Sequence, residues 1–242
     1  MKKVSFVVIL GIAAAMTGCS SMKKDTHSGA RNDEVAQSSN RDEEATSKAQ
    51  DLTTGWPDSA TLAAKEMISK YGEPHEKTSD SLIWRNVAPF KRIVVHRTVY
   101  NHRFPLLHQN ALEHVVDYKA PENKVQEIWK YNGSIVLDRT KGEMSSFAEN
   151  EAMNILALNL ADDIMRGRTH FSTARINFGK ETIKHLNGEK TADTTVLKFG
   201  TQIQTADQGE SVANKIRWIG DRSNQAPQQN KNLNTKQAQE EK

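Results

Sequence analysis

The apolar residues of this chain are unevenly distributed, and their spacing divides it into parts. Val4 to Ala15 form an apolar run broken only by Ser5 and Gly11. Between Ser20 and Gly55 the only large apolar side chains are Met22, Val35 and Leu52. From Gly55 to about Gly188 apolar positions recur at helical or strand spacing, the signature of segments that bury one face. From Ser223 to Lys242 there is no aromatic residue and a single leucine.

Within the periodic region the elements can be assigned in order. Asp58 caps a helix from Ser59 to Tyr71 in which Ala60, Ala64, Met67, Ile68 and Tyr71 share a face, and Gly72 ends it. "SLIW" at 81–84 and "KRIVVHRTVY" at 91–100 read as strands. In the second, Ile93, Val95 and Val99 point one way and His96 and Thr98 the other. "LEHVVDYKA" at 112–120 is a third strand. Pro121 opens a short helix carrying Val125, Ile128 and Trp129, which Asn132-Gly133 stops, and "SIVLDRTK" is a fourth strand.

Two longer helices follow. "ENEAMNILALNLADDIM" places Met153, Leu156, Ala157, Leu160 and Ile164 on one face, widened by Ile155 and Leu158, so it belongs centrally against the sheet. After Gly167 a second helix runs from Thr173 to Leu186, with Ile176, Ile183 and Leu186 lining one face beside Phe171 and Phe178. "TTVLKFG" and "KIRWIG", within 191–222, read as two peripheral strands or as ordered turns. This order predicts an α+β domain over 55–190, a mostly antiparallel sheet of about four strands packed against three to four helices.

The flanks lack the apolar surface needed to offset the entropy of ordering. They predict a flexible linker over 19–54, following a signal segment over 1–18, and a disordered Asn- and Gln-rich tail over 223–242.

The chain's one cysteine sits where the first apolar run ends. A lone cysteine allows no intramolecular disulfide, so stability must come from the core. Lys2 and Lys3 precede an apolar run too short to span a bilayer but suited to a signal peptide. Met16-Thr17-Gly18-Cys19 then resembles the lipobox of bacterial lipoproteins, with Met16 where Leu is usual. The resemblance implies cleavage before Cys19, lipidation of its thiol, and the membrane as a partner through that anchor. Ser20, where an inner-membrane retention signal would place Asp, implies the outer membrane facing the periplasm. The net charge of +3 selects neither for nor against nucleic acid, and export argues against it.

A second resemblance runs from "ISKYGEPHE" through "LIWRN", "FKRIVVHR", "LEHVVDYKAP" and "RTKGEMSSF" to "MNILALNLADDIMRG". It is similar to a family of uncharacterised bacterial proteins, which supplies no activity to carry over. "KYGEP" followed by "LIW" also resembles the helix, turn and strand of the small lipoprotein subunit of the outer-membrane β-barrel assembly machine.

Candidate chemistry is sparse. His96, His102, His108 and His114 recur at six-residue steps with Glu113 and Asp117 nearby, residue types that ligate zinc, but the spacing matches no helical metal motif. Glu143 in "RTKGEMS" falls where a strand leaves the sheet, a position for a general base or simply a solvated salt bridge. Asp162 and Asp163, with Arg166 beyond, offer carboxylates for a metal, but read more simply as surface charge near a helix end. No serine-hydrolase elbow and no phosphate loop is present, and no cofactor is implied. The sequence therefore favours a tethered binding or scaffolding module with an envelope protein partner. The alternative is an envelope hydrolase or metal-binding enzyme built on the histidine-rich strands and Glu143, which one pocket gathering those residues would favour.

Overall fold

The computed structural model describes residues 28–201, 204–207 and 209, with side chains from residue 40. Cys19, the signal segment, "KIRWIG" and the tail over 223–242 lie outside the described residues. The elements in order are α1 (Ser28–Leu52), α2 (Asp58–Tyr71), β1 (Glu76–Lys77), β2 (Ser81–Val87), β3 (Phe90–His102) and β4 (His108–Asp117). A 3-10 turn (Glu122–Lys124) leads into α3 (Val125–Tyr131), β5 (Ile135–Asp138), β6 (Glu143–Ala148), α4 (Glu151–Met165), α5 (Phe171–Leu186) and α6 (Ala192–Thr195). The class is α+β. Every strand pairing is antiparallel, and the sheet order is β1-β2-β3-β4-β6-β5. No described helix is long and apolar enough to cross a membrane.

Among the described residues the sheet has six strands rather than about four. β1 is two residues long and offers no periodicity to read. β6 is "EMSSFA", whose two serines dilute the apolar signal, so the hairpin from β5 through Gly142 passes for an exit loop. Gly142 is required there. It sits at φ +65°, and a side chain would strike the Thr205 hydroxyl and the Ala206 amide. Thr205 Oγ1 donates to the Gly142 carbonyl at 2.5 Å, and Asp207 pairs with Arg139. The segment after α6 is thus strapped to this turn, and no strand forms at "TTVLKFG".

One face of the sheet carries the core. Leu82, Trp84, Ile93, Val95, Leu112, Val116 and Met144 are all buried there. α2 covers β2 to β4, and α4 lies on β4 to β6. α4 starts where the Asn150 side chain accepts from the Met153 amide at 3.0 Å, an N-cap. It is buried nearly all round, including Leu156 and Leu160, because β-strands, α5 and α6 contact it from different sides.

Three further expectations change. The linker expected over 19–54 is helical from Ser28, and the domain begins before residue 55. Ala45 and Ala49, one turn apart and buried, let α1 approach α2 closely enough to dock without large apolar side chains. Polar contacts complete the junction: the Thr53 and Thr61 hydroxyls lie 2.8 Å apart, Ser69 donates to Asp42 at 3.1 Å, and Lys48 pairs with Glu73. On α5 the buried stripe is Ala174, Phe178 and Thr182, spaced by four, whereas Ile176, Ile183 and Leu186 are exposed. On α3, Ile128 and Tyr131 are buried but Trp129 is exposed.

Candidate functional site

The fold separates the four histidines that the sequence spaces evenly. His114 is wholly buried on the helix-covered face, where its Nδ1 accepts from Asn154 Nδ2 at 3.0 Å. The same amide donates to the Leu112 carbonyl at 2.9 Å. Burial above all, with the Lys70 charge in addition, pushes the imidazole down to about 3, so it is neutral. His102 and His108 meet at the far end of the β3–β4 hairpin with ring centroids 5.1 Å apart. His108 Nε2 faces Glu149 at 3.3 Å, and His102 Nδ1 lies 3.4 Å from Ser134 Oγ. Burial, then the His108 and Arg175 charges, hold His102 below its ordinary value. His96 lies apart from all three. Among the described residues no group of three or more His, Cys, Asp or Glu could hold a metal ion.

Glu143 opens β6 rather than leaving the sheet. It is 6% exposed and its two oxygens take Arg92 in a fork, Nη1 at 2.9 Å and Nη2 at 2.8 Å. Lys91 Nζ adds a contact at 3.1 Å and holds Asp117 at 2.7 Å. Burial pushes the Glu143 carboxyl up, but Arg92 and Lys91 outweigh it and keep it below the usual carboxylate range. With its oxygens engaged in this way, Glu143 ties β3, β4 and β6 together.

Asp162 is not surface charge. Its side chain is 1% exposed and accepts from the Tyr118 hydroxyl at 2.9 Å, from Arg166 Nε at 2.8 Å and from Arg168. Asp163 takes Arg168 Nε at 2.6 Å. The cluster fastens the end of α4 to the chain leaving β4. Tyr118, over forty positions upstream, is the partner that no local pattern could supply.

A third buried acid, Glu151, is the one that sequence reasoning missed. Glu151 receives Lys70 Nζ at 2.8 Å and the Tyr71 hydroxyl at 2.7 Å, and its backbone amide donates to the Glu66 carboxyl. Glu66 is pushed up to about 7, chiefly by burial. Together these groups pin α2 to the start of α4.

The face of the sheet opposite the helices is a different surface. Arg85, Thr98, Tyr100 and Val136 are exposed on it. Toward its centre lies a concavity of about 410 Å³ lined by Asp80, His96, Thr98, Tyr100, Glu113, Val136, Ser145 and Phe147. Glu113 and Phe147 are register partners on β4 and β6, and Val136 of β5 pairs with Ser145. The Phe147 ring receives two neighbours edge-on, His96 at 5.3 Å and Tyr100 at 6.0 Å between centroids. His96 Nε2 lies 3.2 Å from Glu113 Oε2. Burial pushes the Glu113 carboxyl up, yet hydrogen bonds from His96 and Ser145 leave it below its ordinary value, so it is charged at neutral pH.

Of this concavity the sequence singles out only His96 and Glu113. Tyr100 follows a register shift between Val95 and Tyr100, where simple alternation fails, and Phe147 lies on β6, whose serines dilute the apolar signal. The signal that was available is the alternation of Glu143, Ser145 and Phe147 against Met144, Ser146 and Ala148. The arrangement suits recognition: rings and a valine provide apolar contact, and a held carboxylate provides direction. No family profile, curated protein or solved structure matches this chain.

Proposed function

We propose that this chain is a lipid-anchored protein of the bacterial cell envelope that works as a binding module, presenting the open face of its sheet to a partner protein. The observation that carries the binding role is the concavity of β3, β4, β5 and β6, left uncovered among the described residues, where exposed Tyr100 and Val136 flank Phe147 around a charged Glu113. Exposed apolar side chains gathered with a few convergent polar groups are what binding surfaces display. One pocket gathering the four histidines and Glu143 would favour the hydrolase alternative. The histidines lie in three places, and Glu143 lies in a fourth, occupied by Arg92 and Lys91.

The anchor rests on the sequence from Lys2 through Met16-Thr17-Gly18-Cys19, and Ser20 directs it to the outer membrane. Acyl chains contributing about 0.8 kcal/mol per buried CH₂ make such attachment lasting. Two measurements test the proposal. Palmitate labelling in bacterial cells marks the parent and not Cys19→Ser; equal labelling of both overturns the anchor. Peptides selected from a random library against the full chain lose binding on Tyr100→Ser and retain it on Ile176→Ser. Peptides indifferent to Tyr100→Ser overturn the binding face.

A further inference from the structure

The lining of the open-face concavity is unbalanced in charge. It contributes two carboxylates, Asp80 and Glu113, and among bases only the imidazole of His96. Of the nearby guanidinium groups, Arg92 forks onto Glu143, and Arg97 pairs with Asp80 at 3.8 Å from the exposed side, so Glu113 is the acid that a ligand meets. His96 engages one oxygen of Glu113, at 3.2 Å. Around that carboxylate stand Phe147 and Tyr100, whose ring faces carry negative potential, and Val136, which offers an aliphatic wall.

Resting on the binding role proposed above, we infer that this concavity is a receptor for a basic side chain, arginine or lysine, of the partner protein. Such side chains are amphipathic, with an apolar stem and a charged head. The stem lies along Val136 and the aromatic rings, and the head reaches Glu113. The ring quadrupole attracts a cation placed over an aromatic face, and a charge-assisted hydrogen bond to a carboxylate adds to it. An acidic ligand would meet Glu113 with like charge. A purely apolar one would strip water from Glu113 and return nothing for it. A cation satisfies both the rings and the acid.

The test uses the full-length lipidated chain in detergent micelles and two short peptides of otherwise equal sequence, Gly-Gly-Arg-Gly-Gly and its citrulline counterpart. Citrulline keeps the shape of arginine and removes its charge. The arginine peptide binds at least about fivefold tighter, the ratio that a modest cation–aromatic and carboxylate contact supplies. Glu113→Gln brings the two peptides to equal affinity, and Tyr100→Ser weakens the arginine peptide while Ile176→Ser does not. Circular dichroism and melting of each variant establish that it is folded. Equal binding of the two peptides to the parent, lost on Tyr100→Ser, overturns the cation preference and leaves the binding face standing. Binding indifferent to both substitutions, or no binding of either peptide at millimolar concentration, overturns the inference, with the library selection deciding the face separately. Self-association that is lost on Tyr100→Ser, placing a second copy on this face, overturns it as well.

Discussion

The two faces of the sheet use similar residue types to opposite ends. On the helix-covered face, His114 is wholly buried, neutral, and held by Asn154. One position earlier on the same strand, Glu113 points to the open face, keeps its charge and meets His96. Aromatic rings divide in the same way: Trp84 is wholly buried with its indole N–H donating to the Gly72 carbonyl at 2.9 Å, whereas Tyr100 is 62% exposed. The comparison teaches that a strand's period of two lets one segment serve stability and recognition at once, because successive side chains point to opposite faces. What is neutral and hydrogen-bonded on one side would be wasted on the other.

The largest expected effect lies on the covered face. Leu156 is fully buried in α4, and truncation removes its transfer energy and leaves a cavity. Leu156→Ala should cost about 3–5 kcal/mol in a denaturant melt, a large part of a domain's total stability. A cost below 1 kcal/mol would mean that α4 does not form the core.

His114 gives the next effect, through pH. Its folded value of about 3 lies below the ordinary 6.5, so the unfolded chain takes up a proton that the folded chain refuses. Stability from this source is complete above pH 6.5 and is lost as pH falls toward 3. At pH 4 the loss amounts to about 3 kcal/mol. His114→Leu removes the titrating group, so the variant should lose that much less between pH 7 and pH 4. Identical acid profiles would contradict the buried, neutral state.

The smallest effect belongs to the open face. Tyr100→Ser should change unfolding free energy by no more than about 0.5 kcal/mol, the usual range for an exposed position. A drop of several kcal/mol would show that the face is covered and the contrast false.

What the sequence disclosed follows the same division. α2 and α4 were legible because their apolar residues recur at helical spacing and each helix buries that stripe. α5 shows where periodicity misleads: Ile176, Ile183 and Leu186 form a convincing stripe, yet the face packed inward is Ala174, Phe178 and Thr182. Spacing names a face but not the neighbours available to cover it. α1 failed for the opposite reason, since Ala45 and Ala49 dock by being small and leave no hydrophobic signal. Of the candidate site, His96 and Glu113 were visible as chemistry. The rings that give them a function were not, because Tyr100 follows a register shift and Phe147 belongs to a serine-diluted strand.

The central claim is that the open face serves recognition and the covered face serves folding. The most direct test is the affinity of folded Tyr100→Ser for a library-selected peptide, measured beside the parent at equal protein concentration. The account predicts a loss of at least about tenfold, the removal of one anchoring aromatic contact. An affinity equal to the parent's, in a variant equally stable, would contradict it.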